Sequence, residues 1–269
     1  MSPSRLPRIN NFPQTVERAL DILEAFVDSN EALGITELSR RVKLNKSTTY
    51  RIVQALRTRS YINQNHQTNK YCLGYKTVRL ASSFLSQNKL REIARTYLEE
   101  LSRETLQTVQ LAILEGDKVV YIDQVEGTDI FQVRLRIGDR GPLHCTAAGK
   151  SILAFQPEGE MEKIFAKSKL VPFTNKTITS IKQLKEELRK IRRIGFSFSD
   201  QEYDNDLRAI GAPILGIGSK VIGALALVAP YNRIKVKEVP YYGMMVKETG
   251  LKISLEMGGR IEREVVERL

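Results

Sequence analysis

The stretch from Asn45 to Thr58, NKSTTYRIVQALRT, separates two kinds of chemistry on a single helix. At about 100° per residue, Thr49, Ile52, Val53 and Leu56 fall on one side, and Ser47, Tyr50, Arg51, Gln54 and Thr58 fall on the other. Asn45 is of the residue type that caps such a helix. The second face is polar, positively charged and small at its N-terminal end, which suits entry into a DNA major groove about 12 Å wide. Arg51 can pair bidentately with guanine and Gln54 with adenine, each discriminating by about 1–3 kcal/mol. Ser47, Thr48 and Tyr50 are suited to hold phosphates beside the free amides of the helix start. Arg40, Arg41, Lys43 and Lys46, with Arg5 and Arg8 further upstream, supply cations that displace counterions without reading sequence. A solvated helix face is the plain alternative, and the opposed apolar face argues against it.

A second constellation runs from His144 to Ser151. Ala148-Gly149-Lys150-Ser151 ends like a phosphate-binding loop, but the glycine required five places before Gly149 is His144, which excludes a nucleotide hydrolase of that kind. His144 beside Cys145 suggests a metal or a nucleophile. On an extended segment, however, neighbouring side chains point to opposite faces, and no third ligand is evident, so a structural role is expected. His66 falls in a polar turn and suits a phosphate or solvent contact, while Glu99-Glu100 and Glu186-Glu187 lie on charged helix faces. No catalytic residue, metal site or cofactor is expected, and the chain does not read as an enzyme. Thr146 can instead cap a helix opening Ala147-Ala148-Gly149, where small residues let a ligand approach unpaired amides that favour a carboxylate. Tight packing is the alternative use of those small residues. Arg134, Arg136, Arg140 and Arg208 are the candidate counter-charges.

Positioning these groups requires two domains, which 269 residues can supply. Charge is uneven: residues 1–80 hold 13 Lys and Arg against 6 acids, and the rest hold 29 against 25. That basic N-terminal third favours a polyanionic partner there. The two cysteines, Cys72 and Cys145, have no metal-like spacing, and a reducing cytoplasmic setting fits. No apolar run has the length of a membrane span, and the first residues read as a flexible basic arm rather than a signal peptide. Thr15 is placed to cap a first helix carrying Val16, Ala19, Leu20, Leu23 and Phe26, and Thr36 a second with Leu38 and Val42 on one face. Tyr61-Ile62 and Tyr71-Cys72-Leu73 flank an Asn-rich turn and predict a hairpin wing. Helical spacing returns at Val78, Ala81 and Leu85, then at Leu90, Ile93, Ala94, Tyr97, Leu98 and Leu101 after a break at Ser86 to Asn88. Strands are expected over Val109–Leu114, Val119–Gln124, the alternating Val133, Leu135 and Ile137, Ala212–Leu215 and Val221–Val228. Helices are expected over Thr146–Phe155, from Pro157 towards Ala166, through Ile181, Leu184, Leu188 and Ile191, and over Val236–Met257. Without strict βαβ alternation, the class is α+β with an antiparallel sheet.

Seven segments, in order, resemble the IclR family of bacterial transcription regulators: TVERALDILEAF, ITELSRRVKLNKSTTYRIVQAL, KYCLGYKTVRLA, PLHCTAAGKSILA, GFSFSDQEYDNDLRAIGAPI, ALALVAP and ISLEMGG. The resemblance covers the chain from about Thr15 to Gly258. It implies an N-terminal winged helix-turn-helix domain, a linker helix and a C-terminal GAF-like effector domain with an antiparallel sheet. The corresponding divisions are a basic arm at 1–14, a DNA-binding domain at 15–75, a linker helix at 76–88, an effector domain at 89–258 and a tail at 259–269. It further implies a dimer, or dimer of dimers, on a pseudo-palindromic double-stranded DNA operator, acting as repressor or activator, with no membrane partner. A small organic effector, a carboxylic or aromatic acid, would meet Ala147, Ala148, Gly149, Ser199, Asp200, Leu207, Arg208, Ala209, Ala226 and Val228. Arg208 lies inside the matched signature and is the preferred counter-charge. Two departures bear on the ligand. Asp206 stands where the family usually has glycine, and Ala209, Ala226 and Val228 stand where Cys or Ser is common, which implies a less polar pocket. A second domain used only for oligomerisation remains the competing reading, and a ligand-dependent stability shift would argue against it.

Overall fold

The computed structural model describes residues 13–27, 29, 31–128 and 136–259, and the chain divides into two compact units at Gln87/Asn88. The expected arm with Arg5 and Arg8, most of the tail, Arg134, and Val133 and Leu135 of one expected strand lie outside the described residues.

In the first unit, helices α1 (Gln14–Glu24), α2 (Ile35–Arg41) and α3 (Lys46–Thr58) are followed by strands β1 (Ile62–Gln64) and β2 (Tyr71–Leu73) and by helix α4 (Tyr75–Gln87). Ile22, Phe26, Leu33, Leu38, Val42, Ile52, Val53, Ile62 and Tyr71 form one core, built from the apolar sides of the helices, the hairpin and the turns between them. β1 and β2 are antiparallel with Asn63 opposite Cys72, and Leu33 bridges Tyr71 to give the hairpin a third edge. Two expected caps are corrected. Pro13 and Gly34, not Thr15 and Thr36, occupy the N-cap positions of α1 and α2. Both threonines sit inside the first turn, because the extended backbone that an N-cap requires is adopted one or two residues earlier. Gly74 is obligatory between wing and α4, since a Cβ there would stand 2.2 Å from the Ser60 carbonyl oxygen. α4 buries none of its residues, and Tyr75, Val78, Leu80 and Phe84 are all exposed.

The second unit holds α5 (Lys89–Thr105), β3 (Thr108–Glu115), β4 (Lys118–Val125), β5 (Arg140–Pro142), α6 (Ala147–Ala154), α7 (Glu158–Lys167), α8 (Ile181–Ile194), β6 (Ser197–Asp200), β7 (Leu207–Leu215), β8 (Val221–Pro230) and α9 (Val239–Glu256). Its sheet is antiparallel throughout, in the order β5-β4-β3-β8-β7-β6. Central β8 is buried on both faces and alternates with period two. Leu225, Leu227 and Ala229 meet α5 and α9, while Ala224, Ala226 and Val228 belong to the cluster that includes α6 and α8. Small residues on the second face let α6 lie close to the sheet, and a Cβ on Gly211 would come within 2.8 Å of the Ala147 backbone.

Two strands, β5 and β6, went unread in the sequence, and β7 starts earlier than expected. Ile137 is half-exposed in a turn that leads to β5 rather than in a strand. β6 lacks an apolar signal because its inward residues are Ser197 and Ser199, whose hydroxyls donate to the carbonyls of Ala147 and Cys145 at 2.7 and 2.8 Å.

Candidate nucleic-acid interface and ligand cavity

α3 is set by its first turn. The Asn45 side-chain oxygen accepts from the Thr48 amide at 2.8 Å and from the Ser47 hydroxyl at 3.0 Å, and the Thr49 hydroxyl donates to the Asn45 carbonyl. Thr49, Ile52 and Val53 are buried, which turns Lys46, Ser47, Tyr50 and Arg51 outward, Tyr50 being 51% exposed. Arg40, on α2, is exposed as well, and Thr48 is half-buried. Neither Arg40, Lys46 nor Arg51 has an ion pair among the described residues. Gln54 differs from the other candidates: it is half-buried, and its amide donates to the Tyr71 hydroxyl at 3.4 Å, where the wing's second strand leaves the turn. Arg57 donates to Gln64 at 2.6 Å and ties the end of α3 to β1. Arg41, a suggested phosphate contact, is occupied by Glu37 and the Ala25 carbonyl. The result is an exposed, cation-bearing helix face beside a hairpin whose turn is organised by Asn65, with amides of Gln67 and Thr68 donating to its side chain.

In the second unit, eight of the ten expected effector positions line one cavity of about 40 Å³: Ala147, Ala148, Ser199, Leu207, Arg208, Ala209, Ala226 and Val228. Gly149 and Asp200 stand outside the lining. Gly149 packs on Leu143, whose backbone a Cβ would approach to 2.6 Å, and its amide donates to the capping Thr146 hydroxyl. Asp200 is the partner of Arg208. Arg208 donates to Asp200 at 2.6 Å and to the carbonyls of Tyr231 and Ile234, so its donors are engaged within the fold, while Asp200 accepts from Lys176 as well at 2.8 Å. Burial raises the Asp200 pKa, but hydrogen bonds from Lys176 and Arg208 outweigh it and hold the carboxyl below its ordinary range.

Sequence reasoning missed Gln110, Tyr121, Thr146, Tyr203 and Asp204 in the lining. Gln110 is 1% exposed; its amide nitrogen donates to Gln124 at 2.8 Å and its oxygen has no partner. Burial pushes the Tyr121 and Tyr203 phenols up, so both stay protonated. The pocket is therefore more polar than the Ala209, Ala226 and Val228 departures implied. A single amide in the apolar run TVQLAILE was the available signal for Gln110.

Lys150 is fully buried, donating to Glu202 and to the Phe198 carbonyl at 2.5 Å each, with Glu187 at 3.5 Å. It pins α6 to β6 and is spent, in keeping with the exclusion of a phosphate-binding loop. His144 and Cys145 lie in a turn, not on an extended segment. His144 Nε2 bonds the Val171 carbonyl at 3.0 Å, and Cys145 is a buried thiol pushed up by burial. Among the described residues there is no metal-holding group of His, Cys, Asp and Glu, and no helix long and apolar enough to cross a membrane.

A winged helix-turn-helix in one unit and a ligand cavity against an antiparallel sheet in the other define a DNA-binding regulator that responds to a small molecule. Residues 15–66 match the IclR helix-turn-helix domain and residues 82–255 match the bacterial transcriptional regulator IclR C-terminal domain. The transcriptional regulator XynR of Escherichia coli is 34% identical over 245 residues, covering 91% of this chain and 97% of that protein. Among solved structures, Thermotoga maritima IclR superimposes with a TM-score of 0.78 at 28% identity, covering 91% and 99% of the two chains. An IclR homologue from Microbacterium hydrocarbonoxydans, complexed with 4-hydroxybenzoate, shares the fold at a TM-score of 0.78 and 23% identity, covering 90% and 98%. This chain belongs to the IclR family of transcriptional regulators, which are DNA-binding proteins and not enzymes.

Proposed function

We propose that residues 15–75 read a pseudo-palindromic operator as part of a dimer or dimer of dimers in the cytoplasm, that 76–88 form the linker helix, and that 89–258 bind the effector. Arg51 and Gln54 read bases, and Arg40, Lys46, Ser47, Thr48 and Tyr50 fix register on phosphates. The observation that carries this reading is the outward Arg51, with no ion pair among the described residues, on a capped helix whose opposite face is buried. The exposed apolar residues of α4 support a self-association surface.

The effector is a small carboxylic or aromatic acid held by Ala147, Ala148, Ser199, Leu207, Ala209, Ala226 and Val228, with its carboxylate at the α6 amides. Arg208 shapes that site while held by Asp200, which Lys176 also meets, and Gly149 lets α6 seat against Leu143. The unpartnered Gln110 oxygen calls for a donor on the ligand, such as a hydroxyl. The ligand of the Microbacterium homologue carries both groups, yet a cavity of about 40 Å³ must expand to take a ring with two substituents. Genomic footprinting identifies the operator and the neighbouring genes. A thermal-shift screen of carboxylic acids should then give a hit that Ala209→Leu abolishes, and an asymmetric monomeric footprint or a hit indifferent to Ala209→Leu would overturn the respective half.

A further inference from the structure

A larger cavity, about 100 Å³, lies in the same unit between α6, α7 and the segment after α7. The chain passes from one cavity to the other within a few residues: Leu143 and His144 line this one, and Thr146 and Ala147 line the effector cavity. The two are also joined by a chain of tilted ring contacts. His144 and Phe173 have centroids 6.2 Å apart, and Phe173 and Tyr203, which faces the effector cavity, have centroids 5.0 Å apart.

The walls are apolar, with Leu143, Leu153, Phe165 and Leu184 all buried. Two polar groups interrupt them. Ser168 Oγ is buried and has no hydrogen-bond partner, which a well-packed interior rarely tolerates without a ligand or solvent group to meet it. His144 gives its Nε2 to the Val171 carbonyl, which can only accept, so Nε2 carries the proton. Burial holds the imidazole neutral, and Nδ1 is then an acceptor. Charge is confined to Asp117, Lys118 and Lys169, none of them buried. An ion inside would be surrounded by leucine and phenylalanine, at a large desolvation cost. A hydroxyl both donates and accepts, and so matches an acceptor nitrogen and a serine together.

We infer that this cavity is a second small-molecule site, which takes a compact neutral molecule with an apolar body and one hydroxyl, of the size of phenol. A cavity of about 150 Å³ lined by leucine, isoleucine and phenylalanine holds benzene, so a single ring fits here after a modest shift of the α7 side.

The test is calorimetric titration of the full-length protein with phenol, and with benzoate as the charged analogue. Saturable phenol binding is expected, with no benzoate heat at this site. Ser168→Ala should weaken phenol about tenfold, the loss of one hydrogen bond, and Ser168→Leu, which fills the cavity, should abolish binding. Ala209→Leu, in the effector cavity, should leave phenol affinity within twofold. Absence of saturable phenol binding overturns the proposal. So does binding that Ala209→Leu removes, which places phenol in the effector cavity, or affinity unchanged in Ser168→Ala, which carries the test if Ser168→Leu fails to fold.

Discussion

Lys150→Met isolates the buried ion pair among the contacts that hold α6 against the sheet. Methionine keeps the length of the side chain and removes the charge from a site with no solvent access. Glu202, 7% exposed and already carrying one oxygen without a partner, then loses its counter-charge. Breaking a buried pair from one side costs about 3–5 kcal/mol. For a unit of this size, about 2–4 °C per kcal/mol makes that a fall of roughly 6–20 °C in the transition of the C-terminal unit. The sign of the pH dependence follows from Glu202. Burial already raises its pKa against the pull of Lys150, and without Lys150 it rises further. The folded state then binds a proton that the unfolded state releases above the ordinary value of 4.5, so stability falls as pH increases through the window between the two values. Scanning calorimetry of the full chain at pH 5 and pH 8 should therefore show a larger deficit at pH 8, and Lys150→Met with Glu202→Gln should remove the difference between the two pH values. A single variant within 1 kcal/mol of the parent at both pH values would refute the reasoning, because it would mean that the pair is hydrated or that α6 is held by other contacts.

Arg51→Ala should erase preference for the operator over unrelated DNA by about 1–3 kcal/mol per half-site, measured by competition gel shift. Lys46→Ala should weaken all sequences alike and reduce the slope of log affinity against log salt by about one. Asn45→Ala removes the acceptor for the Thr48 amide and should cost about 1 kcal/mol in the N-terminal unit's unfolding by denaturant, with operator affinity falling in step. Phe84→Glu places a charge on the exposed apolar face of α4; sedimentation should show a smaller assembly and footprints should lose half-site cooperativity, whereas an unchanged sedimentation coefficient would place self-association elsewhere.

Helices whose apolar residues recur every three or four positions were readable from the sequence, because burial imposes that period directly on the residue types. α3, α5 and α8 follow it, and Ile52-Val53, Leu98-Leu101 and Leu184-Leu188 are buried as expected. Features fixed by contacts distant in sequence were not. β6 reads as a loop because Ser197 and Ser199 face the carbonyls of Ala147 and Cys145, where a hydroxyl serves better than a branched side chain. The helix starts at Pro13 and Gly34 escaped for a different reason: threonine's capping ability was on view, but the extended backbone that decides the cap position was not.

The ligand cavity divides along the same line. Ala147, Ala148, Ala209, Ala226 and Val228 could be placed together because family segments carry them, and small residues on β7, β8 and α6 are what a cavity against a sheet requires. Arg208 shows why residue type alone misleads about charge. It lies opposite Asp200 in the β6–β7 register, a pairing that depends on how two strands align and that neither residue announces. Gln110 shows the reverse. Its position in an apolar strand was visible, yet its meaning depended on Gln124 taking only the nitrogen and leaving the oxygen unmet. With the Arg208 donors engaged by Asp200 and two carbonyls, the acidic effector proposed above would set its carboxylate at the α6 amides and a hydroxyl at the Gln110 oxygen. If so, Arg208→Gln should disturb the effector only through the loss of β6–β7 pairing, whereas Gln110→Leu should weaken a hydroxylated acid and spare its analogue lacking the hydroxyl. Equal losses for both acids in Gln110→Leu would mean that the oxygen never meets the ligand.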